Sequence, residues 1–181
     1  MESDIESGDG ELLLHVRLAK PGDLAGIVAV ERVHREHEWL PGAEQDSYES
    51  WDEDLIVWFA GRPNAAILVA THDDKVVGSL MHIGYPGGLH VTHMMVDADY
   101  RRRGVGTLLF DTLTTELRQG DGPTFIHVQV EEKNDAAASF LLALGCRVAK
   151  AHRNIFASQE CKLSFKWDLE EHRELESATE A

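Results

Sequence analysis

The chain has 181 residues, 43% of them hydrophobic, with 17 basic against 32 acidic side chains and a formal net charge of −15. That length supports one domain with a real core and is short for two, and the composition excludes wholesale disorder. A surface this negative repels nucleic acid and anionic membranes, so neither is expected as a partner, although it does not forbid a local basic site, because near neighbours set the field close to a cluster.

Residues 1–11 are acidic and polar and are expected to be a flexible N-terminus. LLLHVRL (12–18) reads as a strand. Pro21-Gly22-Asp23 opens a helix, with Asp23 as its cap and LAGIVAVERVHREHEW as its body. PGAEQDSYESWDEDLIVWFAG (41–61) reads as one or two further helical pieces. AAILVATH (65–72) and KVVGSLMHIG (75–84) form a hairpin about Asp73-Asp74, and LHVTHMMV (89–96) follows as the next strand. A helix runs from Gly104 to Arg118, with Val105, Leu108, Leu109, Thr112 and Leu113 on one face. FIHVQV (125–130) is a strand, DAAASFLLAL (135–144) a helix stopped by Gly145, and CRVAKAHRNIF with CKLSFKWDL a final strand pair. The fold class is α/β (α+β): one domain over 12–168, built on a mixed, mostly antiparallel twisted sheet of about seven strands with helices on both faces. A charged tail, 169–181, is expected to fray.

Cys146 and Cys161 lack zinc-type spacing and are expected as reduced thiols. His34 and His37 sit at a spacing that can hold a metal, but a solvated helix face is the simpler reading, and no metal is expected. No apolar run approaches the roughly 20 residues of a membrane span. The acidic start is the opposite of a signal peptide, so a cytoplasmic location is expected.

The most informative stretch is YRRRGVGTLL (100–109). It follows a strand and opens a helix, where unpaired backbone N–H groups and the helix dipole attract an anion. Gly104 and Gly106 let a ligand reach the backbone, Arg101, Arg102 and Arg103 add positive charge, and Thr107 adds a hydroxyl. The predicted ligand carries phosphate. A Walker loop would need a Lys that is absent, and a dinucleotide fingerprint would need a third glycine.

Arg101-Arg102-Arg103-Gly104-Val105-Gly106 between strand and helix resembles the signature of the GNAT superfamily of N-acetyltransferases. Val96 stands where that family's strand ends. Asn134, Ala137, Phe140 and Gly145 match the family's downstream block of Asn, helix and Gly, and VRLAKPGDLAGIVAV looks like its opening. The resemblance implies acetyl-coenzyme A as cosubstrate. It implies that backbone N–H groups of Arg101, Arg102, Arg103, Gly104, Val105, Gly106 and Thr107 hold the pyrophosphate, with Asn134 also in the cofactor-binding set. Met95 and Val96 would pair with the pantetheine arm and supply the backbone oxyanion contact.

Acyl transfer to an amine needs the two reactants held together, a neutral amine, a donor for the oxyanion and a leaving thiolate. A free alkyl ammonium has a pKa of about 10, so something must take its proton. Some family members place a Glu at the position of His90, which makes His90 the candidate base. His93 and Glu131 are weaker alternatives. If the strand is regular, His90, Thr92, Met94 and Val96 share one face, and Val91, His93 and Met95 the other. The Tyr that many members use as general acid is replaced by Leu141, leaving Tyr85, Tyr100 and Cys146 as stand-ins. Trp39, Tyr48, Trp51, Trp58 and Phe59, with Glu44, Asp46, Glu49, Asp52, Glu53 and Asp54, would make an aromatic, acidic wall suited to a cationic amine, or equally a helix with one buried and one solvated face. His82 is a further candidate for lining the acceptor side. The expected activity is acetyl transfer to a primary amine by direct attack in a ternary complex, the acceptor being a small molecule, a protein N-terminus or a lysine. The competing readings are a catalytically silent acyl-coenzyme A sensor and a nucleotide-binding regulator. Either a monomer or a homodimer fits.

Overall fold

The computed structural model describes residues 3–5, 12–37, 53–120, 122–153 and 161–173. The strands are β1 (Ser3–Ile5), β2 (Leu14–Leu18), β3 (Ala65–His72), β4 (Lys75–Tyr85), β5 (Gly88–Val96), β6 (Phe125–Glu131), β7 (Arg147–Arg153) and β8 (Cys161–Asp168). The helices are α1 (Leu24–His37), α2 (Glu53–Ala60), α3 (Val105–Gln119) and α4 (Asp135–Ala143). The strands are hydrogen-bonded in the order β1-β2-β3-β4-β5-β6-β8-β7. The β5–β6 pair is parallel, whereas β1–β2, β2–β3, β6–β8 and β7–β8 are antiparallel.

Seven strands are those the sequence predicts, and β1 is the addition. Ser3–Ile5 lies inside the segment expected to be flexible, yet it pairs with Leu14–Val16. A free β2 edge would otherwise present unpaired N–H and C=O groups, which another strand satisfies. Within the segment expected to fray, residues 169–173 form a helical turn, and Leu169 is buried.

The chain forms two compact units, residues 1–82 with 93–113, and residues 83–92 with 114–181. In the first, Ile27 and Val30 of α1 and Ile56 and Phe59 of α2 pack on Ile67, Val69, Val76 and Met81 of β3 and β4. Phe59 is thus a core side chain rather than part of an aromatic wall, because its helical spacing from Ile56 puts both on the buried face. Asp73 and Asp74 both have positive φ, 48° and 61°, the pattern of the two-residue turn whose twist suits a hairpin. Asp23 does not cap α1 directly. It sits at the end of a 3-10 turn, Pro21–Asp23, where its carboxylate accepts the Lys20 N–H at 2.6 Å and both Arg17 guanidinium nitrogens. The Arg17 fork holds that carboxyl below its usual pKa.

In the second unit, Ile126, Val130, Leu141, Phe165 and Trp167 are buried. The His172 ring stacks on Trp167 at a centroid separation of 4.5 Å, and the Arg118 guanidinium lies over the Trp167 ring. Gly145, at φ 81°, ends the turn after α4 in the left-handed conformation expected of a helix-terminating glycine. Trp39, Tyr48, Trp51, Glu44, Asp46, Glu49 and Asp52 lie outside the described residues, as do the side chains of His34, His37, Glu53, Asp54 and Trp58. Among the described residues no helix is long and apolar enough to cross a membrane.

Candidate active site

The stretch around Gly104, where the sequence predicts an anion site, lies in the first unit. β5 ends at Val96, and the Asp97 N–H donates to the Val77 carbonyl at 2.9 Å, which ties the strand end to β4. Asp97 then accepts the Asp99 N–H at 3.1 Å and pairs with Lys75 at 3.0 Å. These contacts anchor the 3-10 turn Ala98–Tyr100. The Tyr100 hydroxyl lies 3.1 Å from Nδ1 of His72, and Lys75 and Arg103 flank the Tyr100 ring. Tyr100 therefore packs the base of the loop.

Arg101 folds back, its Nε donating to the Val96 carbonyl at 3.2 Å. The signature arginine thereby fastens the loop to the strand end, while Arg102 and Arg103 stand exposed at the rim. Arg102 and Gly104 both have positive φ, 61° and 83°, so the chain turns sharply before α3 begins at Val105. A Cβ added to Gly104 would meet no atom within 4 Å, so the backbone is open to a ligand there. The first N–H groups of α3 have no acceptor inside the helix. Val105 is buried, and it fixes the helix start while Gly104 and Thr107 remain exposed. Exposed backbone donors, a helix N-terminus and two exposed arginine side chains suit a pyrophosphate.

Met95 packs its side chain against the α1–α2 core. His93 also meets α1: its Nε2 lies 2.6 Å from Oε1 of Glu31, whose side chain is 3% exposed. The two atoms are close but not aligned as a hydrogen bond. Sequence reasoning missed Glu31. The signal was present, since Glu31 sits at the position after Val30 on the stripe begun by Ile27, where an apolar residue is expected. His82 of β4 is buried, and burial pushes its pKa down to about 4.

His90 and Asn134 belong to the second unit. His90 of β5 lies opposite His127 of β6 in the parallel register, with Nδ1 atoms 3.1 Å apart and rings stacked at 5.1 Å. Burial lowers the His90 pKa, partly offset by hydrogen bonding to the His127 backbone. Asn134 is the N-cap of α4, its Oδ1 accepting the Ala137 N–H at 3.0 Å. Asn134→Ala is accordingly expected to cost about 1 kcal/mol of stability, measurable by urea denaturation. Glu131 ends β6, half-buried and opposite Lys162.

The missing general acid has a structural explanation. Leu141 is 2% exposed, one of the side chains that seat α4 on the sheet. Cys146 is buried, which pushes its thiol up to about 12. It could not usefully protonate a leaving thiolate whose own conjugate acid has a pKa of about 8.5. Burial also raises the pKa of Tyr85, which packs edge-on against Phe125. Among the described residues no group of His, Cys, Asp and Glu could hold a metal ion.

The family model described as the acetyltransferase (GNAT) family matches residues 30–146. No curated protein matches the chain. The fold is similar to that of the ribosomal-protein-S18-alanine N-acetyltransferase from Escherichia coli, at 18% identity and a TM-score of 0.69, covering 86% of this chain and 94% of that one. An N-acetyltransferase from Staphylococcus aureus Mu50 is similar at 20% identity and a TM-score of 0.70, covering 86% and 98%. An aminoglycoside 6'-N-acetyltransferase crystallised with coenzyme A is similar at 14% identity and a TM-score of 0.67, covering 85% and 96%. With the family model spanning β4, β5, the arginine–glycine loop, α3, β6 and α4, the chain belongs to the GNAT family of acetyltransferases.

Proposed function

We propose that the protein transfers the acetyl group of acetyl-coenzyme A to a primary amine by direct attack in a ternary complex. The observation that carries this reading is the open, left-handed Gly104 backbone at the start of α3, set beside the exposed Arg102 and Arg103. In this reading the backbone from Arg101 to Thr107 holds the pyrophosphate, Met95 and Val96 bind the pantetheine arm by strand-like pairing, and a backbone N–H there stabilises the oxyanion. The thiolate departs without a dedicated acid, which its low basicity permits.

His90 acts as the base. Its lowered pKa keeps the imidazole neutral, and so able to accept a proton, further into the acid range than an ordinary histidine. Activity should therefore fall only as the pH drops through a value below about 6.5. His90→Ala is expected to reduce kcat by about 10²-fold or more and to remove that acid limb, read from the pH dependence of thiol release. A second base is favoured by one observation, the short contact between His93 and Glu31, since a carboxylate can orient an imidazole for proton transfer. If the acid limb survives in His90→Ala and disappears in His93→Gln, the roles are reversed.

The acceptor is a small amine, a protein N-terminus or a lysine, and the net charge of −15 suits a basic one. Incubation with acetyl-coenzyme A and a panel of amines and peptides, followed by free thiol, separates the alternatives. Thiol release with at least one acceptor is expected. Tight coenzyme A binding without release for any acceptor would identify a sensor instead.

A further inference from the structure

Outside the loop, one pair of titratable groups in the second unit is arranged for proton handling. His90 and His127 face each other across adjacent parallel strands. Their Nδ1 atoms lie 3.1 Å apart, so one must donate and the other accept. Both Nδ1 atoms cannot carry a proton at that distance without losing the hydrogen bond. The two neutral arrangements differ in their chemistry. If His90 accepts at Nδ1, its own proton sits on Nε2 and that nitrogen cannot act as a base. If His90 donates at Nδ1, Nε2 keeps its lone pair and can take a proton from an ammonium.

The far side of His127 carries a paired charge. Lys166 of β8 is the register partner of His127 on the side away from His90. Its ammonium lies 2.5 Å from Asp168 and over the ring of Phe125, which shares the His127 face of β6 by alternation. Paired with Asp168, this lysine brings little net charge to that side, so the tautomer follows from the role of His90: a base at Nε2 requires His90 to donate at Nδ1.

We propose that His127 is a positioning residue for His90: it accepts the His90 Nδ1 proton and so holds His90 in the tautomer whose Nε2 is the base. The inference rests on the reading of His90 as base. In the step itself, Nε2 of His90 takes a proton from the substrate ammonium. The N–H electron pair stays on the amine nitrogen, which attacks the thioester carbonyl; the adduct collapses with cleavage of the C–S bond, and the departing thiolate takes the second proton from that nitrogen. The resulting imidazolium keeps its Nδ1–H on the neutral His127 ring. His90 later returns the Nε2 proton to water, and the pair regains its starting tautomers with no other reactant required.

Three variants and one spectrum test this. His127→Phe keeps a stacking ring and removes the acceptor, and should lower kcat about tenfold or more, within the 10²–10⁴ that a general base contributes. It should also move the acid limb of the rate profile to lower pH, because the imidazolium loses its partner. His127→Asn restores an acceptor oxygen and should recover most of the rate and of the limb. In the wild-type protein, 15N chemical shifts of the imidazoles above the pKa should show His90 protonated on Nδ1 and His127 on Nε2. Unchanged kcat and acid limb in His127→Phe, no recovery in His127→Asn, or a His90 proton on Nε2 would each overturn the positioning role. His90→Ala is the separate control. Full activity there removes the base reading, while the 15N spectrum still reports whether the two rings share the proton as described.

Discussion

Gly104→Glu is expected to abolish coenzyme A binding while the protein stays folded. The glycine has φ 83°, and no atom lies within 4 Å of where a Cβ would stand, so the new side chain enters open space rather than the core. A non-glycine residue in this left-handed conformation costs roughly 1–2 kcal/mol, which a domain of ordinary stability survives. The ligand fares worse. The carboxylate occupies the approach to the α3 N-terminus and places negative charge where a pyrophosphate needs donors. Charge-assisted hydrogen bonds contribute about 1.5–3 kcal/mol each, and losing two weakens binding by roughly 100-fold or more. Calorimetric titration with coenzyme A, beside a circular dichroism melt, reads both effects. Binding at wild-type affinity by a folded variant would place the donor elsewhere. Arg102→Ala should cost far less, because its exposed side chain contributes one screened charge.

His93→Leu is expected to be among the most destabilising single changes in the first unit. Glu31 is 3% exposed with its Oε1 against His93, and removing one partner of a buried pair typically costs about 3–5 kcal/mol. At about 2–4 °C per kcal/mol for a chain of this size, the melting temperature should fall by roughly 6–20 °C. Glu31→Leu removes the more deeply buried group and should cost less. The double variant, Glu31→Leu with His93→Leu, should be more stable than His93→Leu alone, since the buried carboxyl group is then removed with its partner. Urea denaturation of all four proteins gives the coupling energy directly. A double variant no more stable than His93→Leu would show that the cost lies in packing and not in the stranded carboxyl group.

Much of the frame was legible from local pattern. The hairpin about Asp73-Asp74, the helix after Gly104 and the helix from Asp135 follow from turn chemistry and periodicity, which act over a few residues. The three-residue β1 was not, because its pairing with β2 depends on an edge far along the chain. Nor was the helical turn over 169–173, whose charged residues read as solvated until Leu169 and the stacked His172 tie it to the sheet. Phe59 was grouped with nearby aromatic residues by composition, but its burial is set by which face of α2 meets β3.

By itself the sequence located the candidate anion site. An arginine–glycine stretch between a strand and a helix makes an anion site from local backbone geometry, so its residues can be recognised without tertiary information. Only the tertiary structure decided what the histidines lie against. Strand register sets His127 against His90, and helix packing sets Glu31 against His93. It also decided that Arg101 clasps the Val96 carbonyl while Arg102 and Arg103 face solvent. The physical reason is the same in each case: a proton or a charge responds to the groups within a few ångströms, and those groups come from parts of the chain that only folding brings together.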